Sequence, residues 1–170
     1  LNNLGNTRFE FGETYQAIGL YRRAVSMAPN YPDAWNNLAR AYNQAGQIAR
    51  AEDAIRRALV LSPSASMYIT LGDVLVKRCA YAESLAAYDR ALESDPADVD
   101  GWISKSIAHK EIGQRAEAAA CLNRASALDP ECARVAFCKG MMAEQYGDMQ
   151  EAESAYRDAL SLQPGFVAAL

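Results

Sequence analysis

The sequence predicts an all-α chain, an α-solenoid of five stacked antiparallel helix pairs. Three observations predict it. Prolines recur at Pro29, Pro63, Pro96, Pro130 and Pro164, with spacings of 34, 33, 34 and 34 residues. A fixed period of this size is the signature of a stacked repeat protein. Within each period, two apolar stripes at helical spacing are separated by one turn position. Small residues return at the same three places in every period, as close packing of two helices requires.

One repeat shows how each element arises. When the closing proline is numbered position 32, the second repeat begins at Pro32 and places Trp35, Leu38, Ala39 and Tyr42 at positions 4, 7, 8 and 11. Steps of three, one and three put these side chains on one face of a first helix. Gly46 at position 15 ends that helix, and Ala51, Ile55 and Ala58 at positions 20, 24 and 27 form the stripe of a second. Pro63 closes the unit, because proline cannot continue a helix interior.

The same places in the other repeats carry the same logic. Position 8 reads Gly5, Ala39, Gly72, Ser106 and Gly140, and position 27 is alanine throughout: Ala24, Ala58, Ala91, Ala125 and Ala159. Position 24 supplies the bulk, as Tyr21, Ile55, Tyr88, Leu122 and Tyr156. The expected boundaries are a single array over 1–170 with repeats of about 1–31, 32–64, 65–98, 99–132 and 133–166. Residues 167–170 read as the opening of a truncated sixth helix pair. The third repeat lacks one residue near Pro63 and Met67, which predicts a shortened loop. Cys79 takes the turn position that is glycine in the other four repeats.

Composition narrows the function. A net charge of −4 argues against a nucleic-acid surface, which needs a basic stripe. No apolar run approaches the length of a membrane span, so no membrane insertion is expected. Cys79, Cys121, Cys132 and Cys138 lack metal-ligand spacing, and His109 is the sole histidine. No phosphate loop, G-x-S-x-G or paired-carboxylate motif is present. The expectation is a chain without catalysis, cofactor or metal, with a lean toward the reducing cytoplasm from its cysteines. Glu52, Asp53, Glu117 and Glu153 read as solvated surface with helical charge pairs.

Trp35, Leu38, Ala39, Tyr42, Ala51, Ile55, Ala58 and Pro63 resemble the tetratricopeptide repeat pattern, and five copies in register extend the resemblance over essentially the whole chain. The resemblance implies a right-handed superhelix whose first helices line a concave surface, and a non-catalytic scaffold that binds a protein or peptide there. The chain departs from the pattern at Arg8 and His109 (position 11) and at Lys105 and Lys139 (position 7).

The concave wall expected from this phase has two halves. Asn2, Asn3, Asn6, Asn36, Asn37, Arg40 and Asn43 offer amides that could clamp an extended peptide backbone, each amide being both donor and acceptor. Asn3 and Asn37 resemble the asparagine ladder of arrays attached to O-linked glycosyltransferases. The alternative for this half is a solvated helix face or bonding between helices. Ile69 and Asp73 follow, and then Ile103, Ile107, Phe137 and Met141 form an apolar stripe. That stripe suits an apolar or amphipathic segment, or it is buried by a small rotation of the helices. The carboxylate clamp of co-chaperone arrays is not expected, because Asn2 stands where lysine is wanted. Two further readings remain beside the scaffold: an arm of a larger enzyme such as a glycosyltransferase or sulfotransferase, and homo-oligomerisation through uncapped ends or the concave surface.

Overall fold

The structure, a computed structural model, describes residues 1–165. Among these it is all helical, with ten helices: α1 (Asn2–Glu10), α2 (Thr14–Met27), α3 (Pro32–Gln44), α4 (Ile48–Leu61), α5 (Ala65–Lys77), α6 (Tyr81–Ser94), α7 (Val99–Glu111), α8 (Arg115–Leu128), α9 (Ala133–Gln145) and α10 (Met149–Leu162). Consecutive helices pack in pairs, giving five hairpins of the α-solenoid type. The chain forms two compact units: Leu1–Ser94, with α1 to α6, and Asp95–Leu170, with α7 to α10. The sixth helix pair expected at 167–170 lies outside the described residues.

The turn inside each hairpin needs a left-handed residue. Gly12, Gly46, Gly113 and Gly147 supply it, with φ between 72° and 82°, and Cys79 does so at φ 61°. Cys79 therefore bears the Cβ strain that its four counterparts avoid. The Ala80 N–H then reaches back to Leu75 O at 2.9 Å and caps α5. Loops between hairpins hold four residues (28–31, 95–98 and 129–132), except 62–64, which holds three. This is the shortened connection expected near Pro63.

The marker prolines also serve the hairpin that follows them. Trp35 Nε1 donates to Pro29 O at 2.8 Å, and Trp102 Nε1 donates to Pro96 O at 3.0 Å. Proline leaves its own carbonyl free to accept, and the indole satisfies it.

The seam within each hairpin obeys a steric rule. In three hairpins a glycine faces a tyrosine: Gly5 with Tyr21, Gly72 with Tyr88, and Gly140 with Tyr156. A Cβ on Gly5 or Gly140 would fall 2.5 Å from the ring's Cε1. Where position 8 does carry a Cβ, as in Ala39 and Ser106, position 24 is the aliphatic Ile55 or Leu122. Both are at most 2% exposed, each contributing about 1.5–3 kcal/mol through burial.

A buried tyrosine must also satisfy its hydroxyl. Tyr21 Oη donates to Asn6 Oδ1 at 2.8 Å and Tyr88 Oη to Asp73 Oδ1 at 2.7 Å. Both acceptors occupy position 9. In the last hairpin that place is Met141, which offers no comparable acceptor, and Tyr156 Oη bonds Glu144 Oε2 at 2.7 Å instead.

One outer carboxylate departs from expectation. Glu52 is not solvated surface but 6% exposed, held by Arg56 at 2.6 Å and Arg78 at 2.7 Å. Arg78 comes from the next hairpin and also binds Glu83, so Glu52 links α4 to the following turn. Glu153 is exposed and pairs with Arg157, as a helical i,i+4 pair should.

Candidate functional site

The expected site residues of the amino-terminal unit lie on its first helices, the amides on α1 and α3 and then Ile69 and Asp73 on α5, but the amides are not a uniform ladder. Asn37 Nδ2 donates to Asn2 Oδ1 at 3.2 Å and to Asn6 Oδ1 at 3.1 Å. Asn6 Oδ1 also accepts from Tyr21, so these three amides tie α1, α2 and α3 together. This is the interhelical bonding that the sequence left open. Burial pushes the Tyr21 phenol above its usual range, while the Arg40 guanidinium pulls it partly back.

The rest of this face is differently disposed. Asn3 and Arg40 are exposed. Arg40 lies over the Phe9 ring, with 5.6 Å from Cζ to the centroid. Asn36 is only 8% exposed, which corrects its place on an open wall: its backbone position sits at the edge of the packed stripe. Its Oδ1 and the Oδ1 of Asn43 are both buried without a hydrogen-bond partner among the described residues. The Asn43 backbone carbonyl accepts from Lys77 Nζ at 2.8 Å, across from α5. Ile69 and Asp73 are half-buried on α5, Asp73 being engaged with Tyr88. Lys77 was not among the expected site residues. Its position 13, beside Asn43 at position 12 of the preceding repeat, was the available signal.

The apolar stripe of the second unit is largely absorbed by packing. Ile103 is 0% exposed and is core, a correction to its place on the wall. It packs with Leu122, Ala125, Val135 and Cys138. Ile107, Phe137 and Met141 are half-buried against the same cluster, and the Phe137 ring lies 5.6 Å from Tyr156. The α7 and α9 first turns are joined by Arg134 and Asp100 at 2.5 Å. Lys105 lies over the Trp102 ring, which shows how a lysine is accommodated at a stripe position.

The histidine and the cysteines sit in ordinary packing and turn environments among the described residues. His109 Nδ1 meets Gln114 Oε1 at 2.6 Å across the α7–α8 turn. Burial pushes the Cys138 thiol up to about 11, which keeps it protonated and inert. All four cysteines are free, and Cys79 is the exposed one. Among the described residues no helix is long and apolar enough to cross a membrane, and no group of three candidate ligands could hold a metal.

Comparison with known proteins agrees with this architecture. The human protein O-mannosyl-transferase TMTC3 is 28% identical over 149 residues, covering 86% of this chain and 16% of that protein. The probable UDP-N-acetylglucosamine–peptide N-acetylglucosaminyltransferase SPINDLY of Hordeum vulgare is 29% identical over 107 residues, 63% of this chain and 11% of its own length. The chain thus spans a small part of these relatives. A solved structure of TTC0263, a thermophilic TPR protein of Thermus thermophilus, superposes with a TM-score of 0.92 at 20% identity, covering 99% of this chain and 92% of that one. The family model described as tetratricopeptide repeat matches residues 2–66 and 104–165. With its five helical hairpins and their small-and-large seam, the chain belongs to the tetratricopeptide repeat family.

Proposed function

We propose that this chain is a non-catalytic interaction scaffold whose first-helix face in the amino-terminal unit clamps an extended protein segment. The observation that carries the reading is the exposed polar pair on this face, Asn3 of α1 and Arg40 of α3. The amide both donates and accepts and the guanidinium donates, which suits the carbonyl and N–H groups of an extended chain. The Asn2–Asn6–Asn37 network holds the first two hairpins in register beneath it.

The test is site-specific photocrosslinking in cells. A benzophenone side chain at Asn3 or Arg40 is expected to trap a protein partner, and the same group at Gln16 or Glu93 on second helices is not. Adducts from the second helices alone would refute this placement.

A second reading, a binding arm of a larger enzyme, is favoured by the matches to two transferases of which this chain resembles only a short part. Immunoblotting the native protein with an antibody raised against this chain tests it. A native mass equal to that of the 170-residue chain would sink the reading.

A further inference from the structure

A second surface of the amino-terminal unit is built on different chemistry. A groove of about 500 Å³ opens between α2 and α4. Its floor is apolar: Val25, Leu38 and Ala54 line it and are themselves packed into the core. Trp35 and Tyr42 stand along it, each carrying a stacked guanidinium. Arg57 Cζ lies 4.9 Å from the Trp35 ring centroid, and Arg50 Cζ lies 6.0 Å from that of Tyr42. Arg22 of α2 lines the groove as well.

What marks the groove is that three cations converge on one apolar floor. Five of the ten arginines outside the groove sit beside carboxylates: Arg8, Arg56, Arg78, Arg134 and Arg157 are ion-paired. Among the described residues, Arg22, Arg50 and Arg57 have no carboxylate within ion-pair distance. Asp53 is the single carboxylate lining the groove, against these three cations. In a protein of net charge −4 this is a concentrated basic site over an apolar floor.

We propose that this groove docks an acidic segment of a protein partner, seating one apolar side chain on the floor between carboxylates held by the arginines. Stacking on an aromatic face fixes a guanidinium while leaving its in-plane N–H fork free, and that fork matches a carboxylate. Arg57, held over Trp35, is therefore oriented before the partner arrives, which lowers the ordering cost of binding, while Arg50 gives one Nη1 N–H to Gln47 Oε1 at 2.8 Å and keeps its other donors for a carboxylate. A nucleic acid fits less well: the surrounding charge is negative, and three arginines do not make a stripe that tracks a backbone. The site is separate from the first-helix face, so either can fail without the other.

The probe is a fluorescein-labelled peptide Glu-Asp-Leu-Asp-Glu, titrated into the full chain and read by anisotropy. In a Trp102→Phe background, Trp35 emission reports the groove directly. Saturable binding that changes Trp35 emission and weakens with salt is expected. Arg22→Gln/Arg57→Gln, checked by circular dichroism to be folded, is expected to weaken it at least about tenfold, as loss of two charge-assisted pairs requires. No binding up to about 1 mM, the weak end of recognition, overturns the proposal. So does equal binding by the double variant, or by a peptide with Ser in place of Leu, which would leave the floor unused. Tighter binding of an oligothymidine would make it a polyanion site and also refute the proposal.

Discussion

Replacing Gly72 with alanine separates helix propensity from seam sterics, because the two predict opposite signs. Alanine is better than glycine in a helix interior by about 1 kcal/mol, so propensity alone predicts stabilisation. The seam predicts the reverse. A Cβ on Gly72 would lie 2.6 Å from Tyr88 Cζ and 2.7 Å from Cδ1. Ordinary contact begins near 3.4 Å and the ring's Cε1 would be nearer still, so the ring must retreat by roughly 1 Å in a close-packed seam. Tyr88 is 1% exposed and its hydroxyl is bonded to Asp73 at 2.7 Å, so it has little room to move. Overpacking costs about 1–3 kcal/mol, and weakening a hydrogen bond to a carboxylate adds part of a further 1.5–3 kcal/mol. The net expectation is a loss of about 2 kcal/mol. The assay is urea unfolding followed by far-UV circular dichroism, with the midpoint falling at unchanged slope. Two companions sharpen it. Gly19→Ala, whose Cβ would meet nothing within 4 Å, should stabilise by up to about 1 kcal/mol. Gly72→Ala/Tyr88→Leu copies the Ser106–Leu122 type of seam and should recover stability, with a coupling of at least about 1 kcal/mol. A higher midpoint for Gly72→Ala, or additive behaviour in the pair, would refute the reasoning.

Three other expectations follow from single sites. Cys79→Gly, at φ 61°, should raise stability by roughly 0.5–1 kcal/mol once left-handed strain is set against glycine's entropy, and a lower urea midpoint would contradict this. Glu52→Ala strips two arginines of a buried partner and should cost about 1.5–3 kcal/mol, whereas exposed Glu153→Ala should cost under about 0.5 kcal/mol; equal midpoints would deny Glu52 its linking role. Tyr156 is pushed up to about 12 by burial, then by its hydrogen bond to Glu144 and that carboxylate's charge. The folded state thus favours the protonated phenol, so this contribution to stability is full below the ordinary value of 10.0 and fades as pH rises through about 12. Ultraviolet titration should show late phenolates, one of which Tyr156→Phe removes, and simultaneous ionisation of all tyrosines near 10 would contradict it.

The fold was largely legible because its determinants are local. Proline period, a small residue opposite a large one, and a turn residue at position 15 place each hairpin without any long-range information. Even the oddities were readable: the missing residue near Pro63 became a three-residue loop, and Cys79 took the left-handed turn. The wall was less legible. Position 5 sits beside the packed stripe, where a small rotation about the helix axis decides between core and surface. Ile103 and Asn36 both fell inward there, one as an apolar core residue and one with an orphaned amide oxygen. The Asn2–Asn6–Asn37 tie depends on side-chain torsions and on the Tyr21 hydroxyl, which no spacing rule reports. The α2–α4 groove was missed because its arginines look like ordinary surface charge until their lack of carboxylate partners is seen in three dimensions.

The seam has a consequence for how this chain can be rearranged. Odd hairpins carry the glycine–tyrosine pair, and even hairpins set an alanine or serine against an aliphatic side chain and carry the tryptophan that binds the preceding proline carbonyl. The features alternate with strict parity: Gly5 and Gly72, Tyr21 and Tyr88, and Trp35 and Trp102 each lie 67 residues apart. The unit of duplication written in this sequence is therefore a double hairpin rather than the single one its prolines mark. Transplanting one helix between odd and even hairpins would set an alanine methyl against a tyrosine ring, or leave a void beside a glycine. Shuffling whole double hairpins preserves every match. A chain spliced in that larger step could grow or shrink while each helix kept the neighbour it was shaped for.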